Sequence, residues 1–127
     1  MIRLDNTDRS LNAVLAGAAA TQPDVVVSFI DKSTKVFPPI RSGVHLSRTN
    51  STTAVTICPA PSNLTVREVE AIFLKNNNAS TVTATINYNV NGSDYKMVAI
   101  QVGPSETAFY TSGSGWKVID ASGRVKQ

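Results

Sequence analysis

The chain reads as all-β, an antiparallel β-sandwich of jelly-roll type with about eight strands. Three observations carry that expectation. Apolar and polar residues alternate with a period of two along most of the chain, as in strands with one face on a core and the other toward water. Turn residues recur at short intervals, in Asn76-Asn77-Asn78, Asn91-Gly92, Gly103-Pro104 and Ser112-Gly113-Ser114-Gly115. Charged residues are only 17% of the chain, against about a quarter in an average domain, and Ser, Thr and Asn fill the deficit.

Taken in order, Leu11, Ala13 and Leu15 alternate with Asn12 and Val14. Residues 25–30 follow Gln22-Pro23, lie between Asp24 and Asp31, and are apolar on both faces. Such a run predicts a central strand covered on each side, or one that meets a neighbouring subunit. Over residues 32–51 the pattern dissolves into Lys, Ser, Pro38-Pro39, Gly43 and Arg, with Val36, Phe37, Val44 and Leu46 isolated. A connection beyond about 12–15 residues is usually functional or disordered, so this long loop is a candidate contact arm, with a surface loop as the alternative. Residues 53–58 alternate again through Val55 and Ile57, and Pro59-Ala60-Pro61 ends them because proline cannot donate to a ladder.

Residues 65–75 fit two patterns. Thr65 and Glu68 have capping-box spacing, with Val66, Val69, Ile72 and Phe73 at helical intervals, yet residues 69–75 also fit a strand. Their β-branched and aromatic content favours the strand. Residues 81–90 give the cleanest alternation, with Val82, Ala84, Ile86, Tyr88 and Val90 against Thr83, Thr85, Asn87 and Asn89. Asn91-Gly92 then predicts a type I′ hairpin turn, since both central residues need positive φ. The return strand covers 95–102, and further strands are expected over 107–111 and 116–120 before a short tail at 124–127.

The expected organisation is a single domain over residues 1–127, with an extended N-terminal segment (1–10) and the long loop (32–51) reaching to adjacent subunits. The net charge is +3, but Lys and Arg are scattered and the few aromatics are not interleaved with them, which disfavours nucleic acid. Cys58 is the only cysteine, so no intrachain disulfide forms, and its place beside Ile57 suits a buried thiol acting as a small hydrophobe. Residues 14–20 imitate a secretion signal, but Asp5 and Asp8 offset Arg3 and Arg9, and Asn12 interrupts the apolar run. No segment approaches the roughly 20 apolar residues of a membrane span. The chain is expected to be made in the cytoplasm and not secreted.

Catalysis needs titratable groups that can be gathered, and few are present. His45 is the sole histidine, without a second histidine or cysteine at ligand spacing, and no Ser stands in a Gly-x-Ser-x-Gly elbow. Glu68 and Glu70 read as a solvated stripe on one strand face. Asp24, Asp31, Asp94 and Asp120 flank turns or strand ends, where Asp bonds the local backbone. No catalytic, metal-binding or cofactor-binding residue is assigned, and no enzyme is expected.

Several motifs carry a resemblance. They are Gly103-Pro104-Ser105-Glu106, Phe109-Tyr110 and the run from Gly113-Ser114-Gly115-Trp116 to Ser122-Gly123 near the end. Near the start are Leu11, Val14-Leu15-Ala16-Gly17-Ala18 and Gln22-Pro23. Between them lie Asn50-Ser51-Thr52-Thr53-Ala54-Val55, Pro59-Ala60-Pro61, Arg67, Val69, Ile72 and Asn76-Asn77. Together these resemble a family of small all-β virion structural proteins of tailed bacteriophages. The resemblance implies a virion component without catalysis: a capsid decoration or cement protein, or else a neck, collar or tail accessory protein. Its partners would be copies of itself, a trimer by analogy with capsid decoration, and major capsid or neck and tail proteins. The rival of another class is a carbohydrate- or receptor-binding β-sandwich in which Trp116, Tyr110 and Tyr88 supply stacking surfaces. Trp116 opens a strand after a Gly-rich turn, which suits a core anchor instead.

Overall fold

The computed structural model describes residues 1–34 and 40–126. The strands are β1 (Ile2–Leu4), β2 (Arg9–Leu15), β3 (Asp24–Ser33), β4 (Ile40–Arg48), β5 (Val55–Cys58), β6 (Thr65–Lys75), β7 (Val82–Val90), β8 (Ser93–Val102), β9 (Thr107–Thr111), β10 (Gly115–Ile119) and β11 (Val125–Lys126). One sheet runs β11-β10-β9-β6-β3-β4, with β1 also on β6, and the other runs β5-β2-β7-β8. All pairings are antiparallel, and the sheets pack on each other as a β-sandwich, as the alternation predicts. The strands beyond the eight expected are β1, β4 and β11.

The core lies between the sheets. Leu11, Ala13 and Leu15 of β2 and Val82, Ala84 and Ile86 of β7 meet Val25 and Val27 of β3 and Val69, Ile72 and Leu74 of β6. Each buried Val or Leu side chain contributes about 1.5–3 kcal/mol by leaving water. Residues 65–75 are strand throughout, so the helical spacing of Val66, Val69 and Ile72 has another cause. Ser28 pairs with Ala71 and Phe29 with Val69, which makes Glu70 a bulge and shifts the inward phase from Val69 to Ile72. Two other bulges act alike. Leu11 faces Cys58 while Asn12 faces Thr56, so the extra residue Ile57 and its neighbour Cys58 are both buried. Ile86 faces Val98 while Asn87 faces Lys96, which leaves Met97 as the extra residue of β8.

Two segments differ from expectation. Within the loop expected over residues 32–51, residues 40–48 are instead a strand, because β4 pairs with β3 from Asp24↔Arg48 to Lys32↔Ile40 without a register shift. Its outward apolar residues rest on no core, so the sequence lacks the burial signature of a strand; the expected apolar residues Val36 and Phe37, with Pro38-Pro39, lie outside the described residues. The N-terminal segment is not an arm free to reach a neighbour. Ile2 and Leu4 are buried in this chain's own core, where β1 lies against Val69 to Arg67 of β6.

Turns follow local chemistry. Asn91 (φ 51) and Gly92 (φ 88) close the β7–β8 hairpin between Val90 and Ser93. Behind the Gly103-Pro104 turn sits Asn76, fully buried, whose Nδ2 donates to the carbonyls of Ser80, Val102 and Gly103 at 2.9, 2.9 and 3.1 Å. Its Oδ1 accepts from the Asn78 amide at 2.9 Å. One side chain thus joins the β6–β7 connection to the β8–β9 turn across the two sheets.

Candidate assembly surfaces

The register sorts the outward side chains of the larger sheet into a row. Leu46 lies opposite Val26, Val26 opposite Phe73, and Phe73 opposite Phe109, across β4, β3, β6 and β9. The Phe73 and Phe109 rings stack at 5.9 Å with planes 7° apart. Leu46 is 71% exposed and Phe73 39%, and Val44 (61%) and Ile40 (68%) extend the row along β4. With strands about 4.8 Å apart and about 3.3 Å per residue, the row runs roughly 15 Å across four strands and its extension roughly 20 Å along β4, interrupted by Ser42. A contiguous exposed apolar strip of this kind is a candidate interface. Charge flanks the row: Lys117 of β10 lies opposite Phe109 at one end, and ion pairs border it elsewhere. Arg48 Nε donates to Asp24 at 2.8 Å, holding that carboxyl below its usual range with help from Asn77, and Lys32 pairs with Glu68. Glu68 is therefore covered, while Glu70 on the bulge is exposed; the two do not form the solvated stripe expected of them.

The outer face of the smaller sheet is polar, with charge at Asp94 and Lys96 opposite Asn89 and Asn87. Asn87 Nδ2 donates to Asn12 Oδ1 at 3.0 Å, and Asn12 Nδ2 and Asn89 Nδ2 each donate to Asp94 Oδ1 at 2.7 Å. Asn12 and Asn87 are buried by this mutual contact, and Thr83 and Thr85 continue the same face along β7. One bond joins amide to amide and two end on the Asp94 carboxylate, so the network holds this part of the face in place around a charge.

At one end of the sandwich Arg67 closes the core. Its Nε and Nη2 donate to the two carboxylate oxygens of Asp31 at 2.8 and 3.0 Å, Nη1 donates to the Pro59 carbonyl at 2.8 Å, and the guanidinium lies 3.9 Å over the Phe29 ring. Asp31 thus sits within a strand and is not a turn residue. Beside it, burial pushes the Cys58 thiol up to about 11, against the opposing pull of Arg67. A thiol so placed is almost wholly protonated at neutral pH and is a poor nucleophile. His45, expected in a loop, lies on β4, and its Nδ1–H donates to the Ile57 carbonyl at 2.9 Å, tying the edge of one sheet to the other. Among the described residues no three His, Cys, Asp or Glu side chains gather to hold a metal ion.

The aromatic residues named as possible stacking surfaces do not form one. Tyr110 is buried, Trp116 packs half-buried against it at 5.4 Å, and the Tyr88 hydroxyl donates to the Arg3 carbonyl at 2.6 Å. No family model, curated protein or solved structure matches the chain. The aromatic pair that does reach the surface is Phe73 and Phe109. Its sequence signal was the phase of residues 69–75, where Ile72 and Leu74 face inward and Phe73 must face out. The Glu70 bulge hides that phase from a count of alternation.

Proposed function

We propose that this chain is a non-enzymatic structural component of a tailed-phage virion, a capsid decoration or cement protein, with a neck, collar or tail accessory position as the alternative. The observation that carries the assembly half of this reading is the outward apolar row Leu46, Val26, Phe73 and Phe109 with its aromatic stack. Within a lone domain the cross-strand Phe pair adds only about 0.2–1 kcal/mol and leaves Phe73 exposed, whereas a subunit covered by a neighbouring virion protein buries it further. The Thr83 and Thr85 part of the smaller sheet's outer face, opposite Gln101 and Ala99, supports the same reading, because it can be covered without stripping water from ions. The virion half rests on the resemblance of the turn and strand motifs.

Electron microscopy of purified particles made with and without this chain tests the assignment. Missing density on the capsid surface is the expected result, and missing density at the neck or tail selects the alternative. Particles that lack the protein altogether, by composition and by density, overturn the virion reading.

A further inference from the structure

We infer that Asn91 is a site of covalent self-modification, deamidation through the backbone nitrogen of Gly92, and that Asn89 sets its rate by holding that nitrogen. The inference is independent of the assembly reading. In the reaction the Gly92 nitrogen gives up its proton to hydroxide and attacks the side-chain carbon Cγ of Asn91. A C–N bond forms there, the Cγ–Nδ2 bond breaks, and ammonia leaves. Water then opens the resulting five-membered imide at either carbonyl, giving aspartate or isoaspartate. Water is the only co-reactant consumed. A side chain on the residue after the asparagine crowds the attack, and glycine has none.

Sequence and structure single out one asparagine. Of the ten in the chain, only Asn91 precedes a glycine. Asn12, Asn76, Asn78 and Asn87 are buried, whereas Asn91 and Gly92 are both exposed at the tip of the β7–β8 hairpin. No atom lies within 4 Å of where a Cβ on Gly92 would sit, so the turn is open to water and hydroxide.

The same turn restrains the reaction. Asn91 N–H donates to the Asp8 carbonyl at 2.8 Å, and Gly92 N–H donates to Asn89 Oδ1 at 3.2 Å. Asn89 is itself oriented from its other end, because its Nδ2 donates to Asp94 Oδ1 at 2.7 Å, which leaves Oδ1 turned to Gly92. Both turn residues hold the left-handed backbone that the hairpin needs, with φ 51 at Asn91 and 88 at Gly92. To attack, the Gly92 nitrogen must leave Asn89, lose its proton and swing toward Cγ. The reaction therefore waits on local opening of the turn, and Asn89 is a positioning residue that opposes that opening. The isoaspartate product carries one extra atom in the main chain, which a two-residue hairpin loop does not absorb in register, so modification loosens the hairpin.

Peptide mapping by mass spectrometry measures the rate in the whole folded chain, kept at mildly alkaline pH and well below the melting temperature of each variant. The mass gain of ammonia replaced by water should appear first at Asn91 and divide between aspartate and isoaspartate. Asn89→Ala should speed it about fivefold, the rate equivalent of one net hydrogen bond. Unfolded in urea, where no turn holds the nitrogen, wild type and Asn89→Ala should react at one common rate. Asn12→Ala removes a neighbouring bond to Asp94 without touching Gly92, so it should leave the folded rate unchanged and separates positioning from general loosening of the sheet. Modification that begins at another asparagine, a folded Asn89→Ala chain no faster than wild type, an Asn89→Ala effect that persists in urea, or equal acceleration by Asn12→Ala overturns the proposal.

Discussion

Replacing Asn76 with alanine is the perturbation that most directly probes how the two sheets are joined. Its side chain takes part in hydrogen bonds with Ser80, Val102, Gly103 and Asn78, all within a site that excludes water. Each bond is worth about 1 kcal/mol net, and stranded buried partners cost more, so the loss should be about 3–5 kcal/mol out of a total of about 5–15. Urea denaturation followed by the fluorescence of Trp116, the sole tryptophan, measures it. Asn76→Asp refines the argument, because a carboxylate keeps the acceptor toward Asn78 but turns the donor side into an acceptor facing carbonyl oxygens. Burial and those oxygens raise that carboxyl's pKa above the unfolded value near 3.9, so its stability is full below that pH and is lost as pH rises through the folded value. The aspartate variant should thus be as damaged as alanine at neutral pH and recover toward pH 4. An alanine variant within about 1 kcal/mol of wild type would refute the reasoning, since ordinary surface changes fall in that range.

Three further outcomes follow from the same structure. Cys58 should resist thiol reagents at neutral pH in the native protein and react fully in denaturant. Because its folded pKa of about 11 lies above the unfolded value, stability should be present below the latter and fall as pH rises through the former; rapid native labelling or a flat alkaline profile contradicts this. Arg67→Ala should lose about 2–4 kcal/mol in thermal or urea melts, and Arg67→Lys should recover less than half, because an ammonium lacks the fork that holds both oxygens of Asp31; a lysine variant equal to wild type speaks against that geometry. Trp116→Ala should cost only about 2 kcal/mol and leave a cooperative melt, as the indole is half-buried against Tyr110; outright unfolding would show that it anchors the core more fully than its exposure indicates.

Residues whose conformation is set locally were legible in the sequence. Asn91-Gly92 closes its hairpin because the dipeptide tolerates positive φ at both positions, and 107–111 is a strand because turns bound it and its alternation is unbroken. The all-β class follows from the same short-range terms. Tertiary structure decided the rest. β4 exists because β3 offers it nine consecutive partners, although Ile40, Val44 and Leu46 gain no burial within this chain, so no periodic burial signal marked it. The bulges at Glu70, Ile57 and Met97 reverse which face a side chain takes, and they arise from matching strands of different chain segments. Asp31 and Arg67 are 36 residues apart and meet only through that register. The surface row of Leu46, Val26, Phe73 and Phe109 depends on it too: a one-residue slip would turn the whole set inward, because side chains along a strand alternate with a period of two.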